Sequence, residues 1–171
     1  MTVAIGIDLG GTQIKGRAVS DNGEELASCT APTEDGDGEG EDAPRFAQHV
    51  KEILATLVRK SGRESTLIGI SAPGLAAKDG RSIAVMPGRM RGLEGFDWSS
   101  WLGSPVPVLN DAHAALLGEK WVGAAKPFDD AILLTLGTGV GGAIWSGGRL
   151  VRGAIGRAGH FGHMSLDPLG Y

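Results

Sequence analysis

Val3-Ala4-Ile5-Gly6-Ile7-Asp8-Leu9-Gly10-Gly11-Thr12 decides how the rest of the chain is read. Seven largely apolar, partly β-branched residues run into two glycines, the pattern of a buried strand ending in a tight turn. Gln13 to Ser20 reads as a second strand, Asp21-Asn22-Gly23 as a turn, and Glu24 to Ala31 as a third strand returning. The expectation is a three-strand meander with Asp8, Gly10, Gly11 and Thr12 at its first turn. Paired glycines let a backbone approach phosphate closely, and successive N–H groups form an anion-binding concavity. Thr12 adds a hydroxyl. A carboxylate at Asp8 repels phosphate by itself, so it makes sense as the partner of a hydrated Mg²⁺. An ordinary hairpin with glycine turn chemistry fits the same residues, and locally both readings stand.

Further along, residues 34–42 hold six acids and three glycines. EF-hand spacing is absent, so a solvated loop is expected rather than a calcium site. Pro44 to Lys60 is an amphipathic helix, with Phe46, Val50, Ile53, Leu54, Leu57 and Val58 on one face. Asp42 is placed to cap its start and Gly62 its end. Thr66 to Ser71 and Arg81 to Met86 read as strands, and Asp97 caps a short helix holding Trp98 and Trp101. Val106 to Leu109 is a strand running into Asn110-Asp111. Ala112 to Val122 follows as a helix, packing through Leu116, Leu117, Lys120 and Trp121. The domain boundary is set after it, giving a first lobe over 1–122 and a second over 123–171. The second opens with a strand from Ala131 to Leu136, a turn from Gly137 to Gly142, a strand from Ala143 to Ser146 and another from Arg149 to Arg152. A strand–turn–strand unit with a glycine-rich turn thus begins each lobe, a repeat of architecture rather than of sequence.

Three further motifs carry candidate chemistry. Asn110-Asp111 stands at a strand end before a helix. Asp serves there as an N-cap, and equally as a general base accepting a hydroxyl proton; the two roles are compatible. Gly137-Thr138-Gly139-Val140-Gly141-Gly142 matches GxGxxG, but the residues behind it read as a strand, which argues against a dinucleotide site and leaves a hairpin phosphate cradle. His160 and His163 are three apart without an obvious third metal ligand, so hydrogen bonding to a polyol fits them better than a self-sufficient metal site.

Composition bounds the rest. The 171 residues suit about one domain of ~100–200 residues by length alone. A net charge of −4 gives no reason to expect nucleic acid or an anionic membrane surface. The single cysteine, Cys29, excludes an internal disulfide framework. With no signal-peptide pattern and no apolar run near ~18 residues, a cytoplasmic protein is expected.

Taken together, Gly6 to Thr12, Gly69 to Gly74, Asn110-Asp111-Ala112, Leu134 to Gly142 and Gly159 to His163 resemble the ROK family of sugar kinases and related repressors, in family order. The resemblance implies an α/β, actin-like ATPase (ribonuclease H-like) fold with a complete first lobe and a truncated second. It implies ATP- and Mg²⁺-dependent phosphorylation of a hexose or N-acylhexosamine. By position, Asp111 is the catalytic base and Asn110 a sugar ligand, with Gly74 lining the sugar pocket. Asp8, Gly10, Gly11 and Thr12 form the first phosphate motif, and Thr138 and Gly139 the second. His163 is a sugar or zinc-site residue. His160 stands where the family usually has a Glu that grips sugar hydroxyls, and Gly88 where it often has Asn. Both departures fall on sugar recognition. A family zinc motif lies beyond His163, so zinc stays undecided. A DNA-binding segment ahead of Val3 is not expected, exposed apolar surface on the second lobe is, and homo-oligomerisation is left open.

Overall fold

The computed structural model describes residues 2–34, 43–62, 67–137, 139–165 and 167. Residue contacts divide the chain into two compact units, Met1–Asp111 and Ala112–Tyr171, a division that precedes the boundary expected after Val122.

In the first unit the expected meander is present as β1 (Val3–Leu9), β2 (Gln13–Ser20) and β3 (Glu25–Pro32). Strand β1 alternates strictly, with Val3, Ile5, Ile7 and Leu9 buried. Helix α1 (Arg45–Ser61) follows and buries Phe46, Ala47, Val50, Ile53 and Leu57 against that face. Its close approach depends on Gly16 of β2, where a Cβ would collide with the side chains of Ile53, Leu57 and Ile7. Gly62, at φ 65°, ends α1 as expected. Pro44 occupies the N-cap with no side-chain hydrogen bond; Asp42, the expected cap, lies outside the described residues, as do positions 35–42 of the acidic loop.

Helix α1 carries the chain across to β4 (Leu67–Ala72), which pairs parallel with β1, and β7 (Val108–Asn110) pairs parallel with β4. The five-stranded order is β3-β2-β1-β4-β7. Between β4 and β7 lie β5 (Leu75–Ala76), β6 (Ile83–Val85) and α2 (Trp98–Leu102). Two residues are too few for β5 to show a period, and it escapes sequence reading. Strand β6 is shorter than the expected Arg81–Met86 for a visible reason. The Arg81 amide donates to the Asp79 carboxylate and the Met86 amide to Glu94, so neither joins a ladder. Asp97 caps α2 as expected, accepting from the Ser100 amide at 3.1 Å. Trp98 is fully buried against Phe96 and Phe46, and Trp101 Nε1 donates to Ala47 O at 3.0 Å, which fixes α2 to α1.

Helix α3 spans Asp111–Trp121. Its buried residues are Ala112, His113 and Leu116; Leu117 is half-buried and Trp121 is 44% exposed, so the expected packing row through Trp121 is corrected. The second unit also contains an antiparallel sheet of order β10-β9-β8, from β8 (Ala131–Leu136), β9 (Val140–Ser146) and β10 (Arg149–Val151). Strand β9 starts at Val140, so Gly141 and Gly142 are ladder residues and not part of the turn as expected. Ile132, Leu134 and Leu136 share one face of β8 and are 66%, 56% and 79% exposed.

Candidate functional site

The register of the parallel strands assembles the first-unit candidates. Asp8 of β1 stands beside Ser71 of β4, Ser71 beside Leu109 of β7, and Ala72 beside Asn110. All three strands therefore end together, and their next residues are Gly10-Gly11-Thr12, Pro73-Gly74 and Asp111. The strand order also reverses at β1: β2 and β3 extend the sheet one way, and α1 carries the chain to β4 on the other side. In open α/β sheets, ligands bind beyond the carboxyl ends of the strands at such a reversal.

Local geometry explains several residue types. The Gly10 amide donates to Gln13 O at 3.1 Å, and a Cβ on Gly10 would stand 2.8 Å from that oxygen, so the turn requires glycine. At Gly11 a Cβ would meet nothing within 4 Å except Arg89 Nη1, at 3.9 Å. The Asp8 carboxylate is exposed and accepts from Ser71 Oγ at 3.0 Å. Gly74 has φ 99°, and a Cβ there would lie 2.5 Å from Val85 O. Asn110 is buried and its Nδ2 donates to Gly74 O at 2.9 Å, joining two predicted sugar-pocket residues. Asp111 is exposed in the first turn of α3, where a carboxylate complements the helix dipole.

Two residues not singled out as site candidates hold this edge together. Thr33 is fully buried; its Oγ1 donates to Gly10 O at 2.6 Å and its amide to Thr12 O at 3.0 Å. Nothing local to Thr33 announces this. Ser71, inside a recognised motif, orients Asp8.

The second unit gathers the remaining candidates around β9. Gly139 lies in the β8–β9 turn, where the Gly137 amide donates to Gly139 O at 3.0 Å; Thr138 lies outside the described residues. Gly159, at φ 95°, rests on the β9 backbone: a Cβ there would lie 2.5 Å from Gly142 O. That contact seats the one-turn 3-10 helix Phe161–His163 beside the strand. The His160 and His163 rings stack with centroids 6.2 Å apart. His113, also missed, is buried, and its Nε2 donates to Ala158 O at 3.2 Å, just before Gly159. A polar residue among the apolar positions of α3 was the available signal. Among the described residues no group of three or more His, Cys, Asp or Glu side chains is placed to hold a metal ion.

Comparison with known proteins agrees with this architecture. The profile described as ROK family matches residues 4–171. A beta-glucoside kinase from Listeria monocytogenes is 39% identical over 168 residues, covering 95% of this chain and 53% of the relative. Among solved structures, a ROK family glucokinase from Streptomyces griseus in complex with glucose and AMPPNP superposes with a TM-score of 0.80 at 33% identity, covering 97% of this chain and 51% of that one. A ROK hexokinase from Thermus thermophilus gives 0.81 at 32% identity, with coverages of 99% and 55%. The chain spans about half the length of each of these proteins. Its mixed sheet has the actin-like ATPase fold of these neighbours. With motif order, sheet topology and family profile in agreement over nearly its whole length, the chain belongs to the ROK family.

Proposed function

We propose that the chain carries the acceptor-activating and phosphate-gripping part of an ATP-dependent sugar kinase acting on a hexose or N-acylhexosamine. The observation that carries this reading is the shared end of β1, β4 and β7, where the Asp8–Thr12 turn, Gly74 and Asn110-Asp111 meet. The kinase names of the relatives point the same way.

Phosphoryl transfer demands positioning and charge neutralisation more than covalent chemistry from the protein. In this reading Asp111 is the general base. As the sugar oxygen bonds to the terminal phosphorus, the bridging P–O bond breaks, ADP leaves with that electron pair, and the hydroxyl proton passes to the Asp111 carboxylate. Asn110 orients the sugar, and its bond to Gly74 fixes the amide. The Gly10–Thr12 turn cradles phosphate oxygens, and Thr138 with Gly139 provides the second cradle. Asp8 is exposed and offers one carboxylate held by Ser71, which suits a hydrated Mg²⁺ kept by one protein ligand plus substrate phosphates; the ion would supply charge neutralisation. His160 and His163 contact sugar hydroxyls, and the His160 imidazole, donating once and accepting once, sets a preference different from that of a carboxylate.

That the chain spans about half the length of the kinases it matches favours a second reading: a sugar-binding module without turnover. ADP release measured against a panel of hexoses and N-acylhexosamines tests both. Sugar-dependent release supports the kinase; sugar binding without release supports the module.

A further inference from the structure

The segment after β6 is a closed loop. Gly95 N donates to Ile83 O at 2.8 Å and Met86 N to the Glu94 carboxylate, so the loop leaves and returns at one point. Residues 86–92 and 94 line a cavity of about 710 Å³, within the ~300–1,000 Å³ typical of small-molecule sites. At the loop's centre Met90 is buried although its φ is 52°, and Leu93 N donates to Met90 O at 3.0 Å. A non-glycine residue in the left-handed region costs roughly 1–3 kcal/mol, and such strain clusters at active sites, ligand clamps and switch regions. Burying Met90 leaves its neighbour Arg89 exposed.

The Arg89 guanidinium lies beside the Gly10–Thr12 turn. Its Nη1, at 3.9 Å, is the sole atom outside residues 10–12 within 4 Å of where a Gly11 Cβ would stand. Arg17, Arg45 and Arg81 each pair with an acid, at 2.7, 3.2 and 2.9 Å. Arg89 makes no hydrogen bond or ion pair among the described residues. A guanidinium presents a planar fork of donors that matches phosphate oxygens. It stands beside the Gly10–Thr12 turn, whose Gly10 amide is already committed to Gln13 O.

We propose that Arg89 binds the terminal phosphoryl group at the Asp8–Thr12 turn and neutralises charge on its oxygens during transfer. This rests on the kinase reading for the reaction, but not for the anion site itself. Inorganic pyrophosphate is the direct probe, titrated into the full chain with the Gly10 and Gly11 amides followed by NMR. The wild type should show saturable shifts. Arg89→Ala should weaken binding about 10- to 100-fold, the worth of a charge-assisted hydrogen bond, and Arg89→Lys should fall between, having charge without the fork. In the ADP-release assay, Arg89→Ala should lower kcat by about 10³-fold, the lower range for an arginine acting on a transferring phosphoryl group. Equal pyrophosphate affinity in wild type and Arg89→Ala, or no pyrophosphate shifts in the wild type, overturns the proposal. If pyrophosphate binding depends on Arg89 while no sugar is phosphorylated, the anion site stands and the kinase reading falls. If Asp111→Asn abolishes turnover while Arg89→Ala changes neither measurement, the kinase reading stands and Arg89 falls.

Discussion

Thr33 shows how a residue without chemistry of its own can decide whether a site exists. Its hydroxyl and amide hold both ends of the Gly10–Thr12 turn, and both bonds are made by a fully buried residue. Thr33→Val keeps the shape and leaves Gly10 O without that donor. The expected loss is about 1–3 kcal/mol, the cost of a buried polar group losing its partner, measured as a lower denaturation midpoint in urea. An unchanged midpoint would mean that the hydroxyl bond to Gly10 O contributes nothing net and that the Thr33 amide suffices to hold the turn. Asp8, Gly10 and Asp111 could be picked from the chain because their chemistry is local: a carboxylate or a glycine pair at a strand end. Thr33, 23 positions from Gly10, could not. The Asn110–Gly74 bond, across 36 positions, likewise required the fold.

Among the elements, the contact between α1 and the meander sets the sheet that carries the site. Gly16 is its tightest point, with Ile53, Leu57 and Ile7 where a Cβ would go. Gly16→Val should destabilise the first unit by about 1–3 kcal/mol through overpacking, shifting the urea midpoint with little change in m-value. Wild-type stability in that variant would show that α1 can retreat without loss. Strand β1, α1 and β8 were legible because each is long enough to show its period. The β5–β6 hairpin was not, because its strands are set by Asp79, Glu94 and the Gly74 corner rather than by a pattern of their own. The start of β9 was misread because consecutive glycines signal a turn in sequence, yet here they let Phe161 and Gly159 pack onto a ladder strand.

At the scale of the molecule, the first unit buries one contiguous core, whereas β8 of the second turns Ile132, Leu134 and Leu136 to solvent. Contiguous exposed apolar surface drives association. The combined change Ile132→Thr, Leu134→Lys and Leu136→Thr should therefore reduce self-association on size-exclusion chromatography and lower binding of a hydrophobic dye. No change in either would place the association surface elsewhere. Family membership was legible from motif order alone, while the sugar was not, since no single motif of the chain specifies it. The central claim is that Asp111 takes the proton of the acceptor hydroxyl. The most direct measurement is turnover and sugar binding of Asp111→Asn beside the wild type, with the sugar that gives the most ADP release. A fall in kcat of about 10²–10⁴-fold, the usual worth of a general base, with sugar affinity retained, is the predicted result; turnover at the wild-type rate would contradict it.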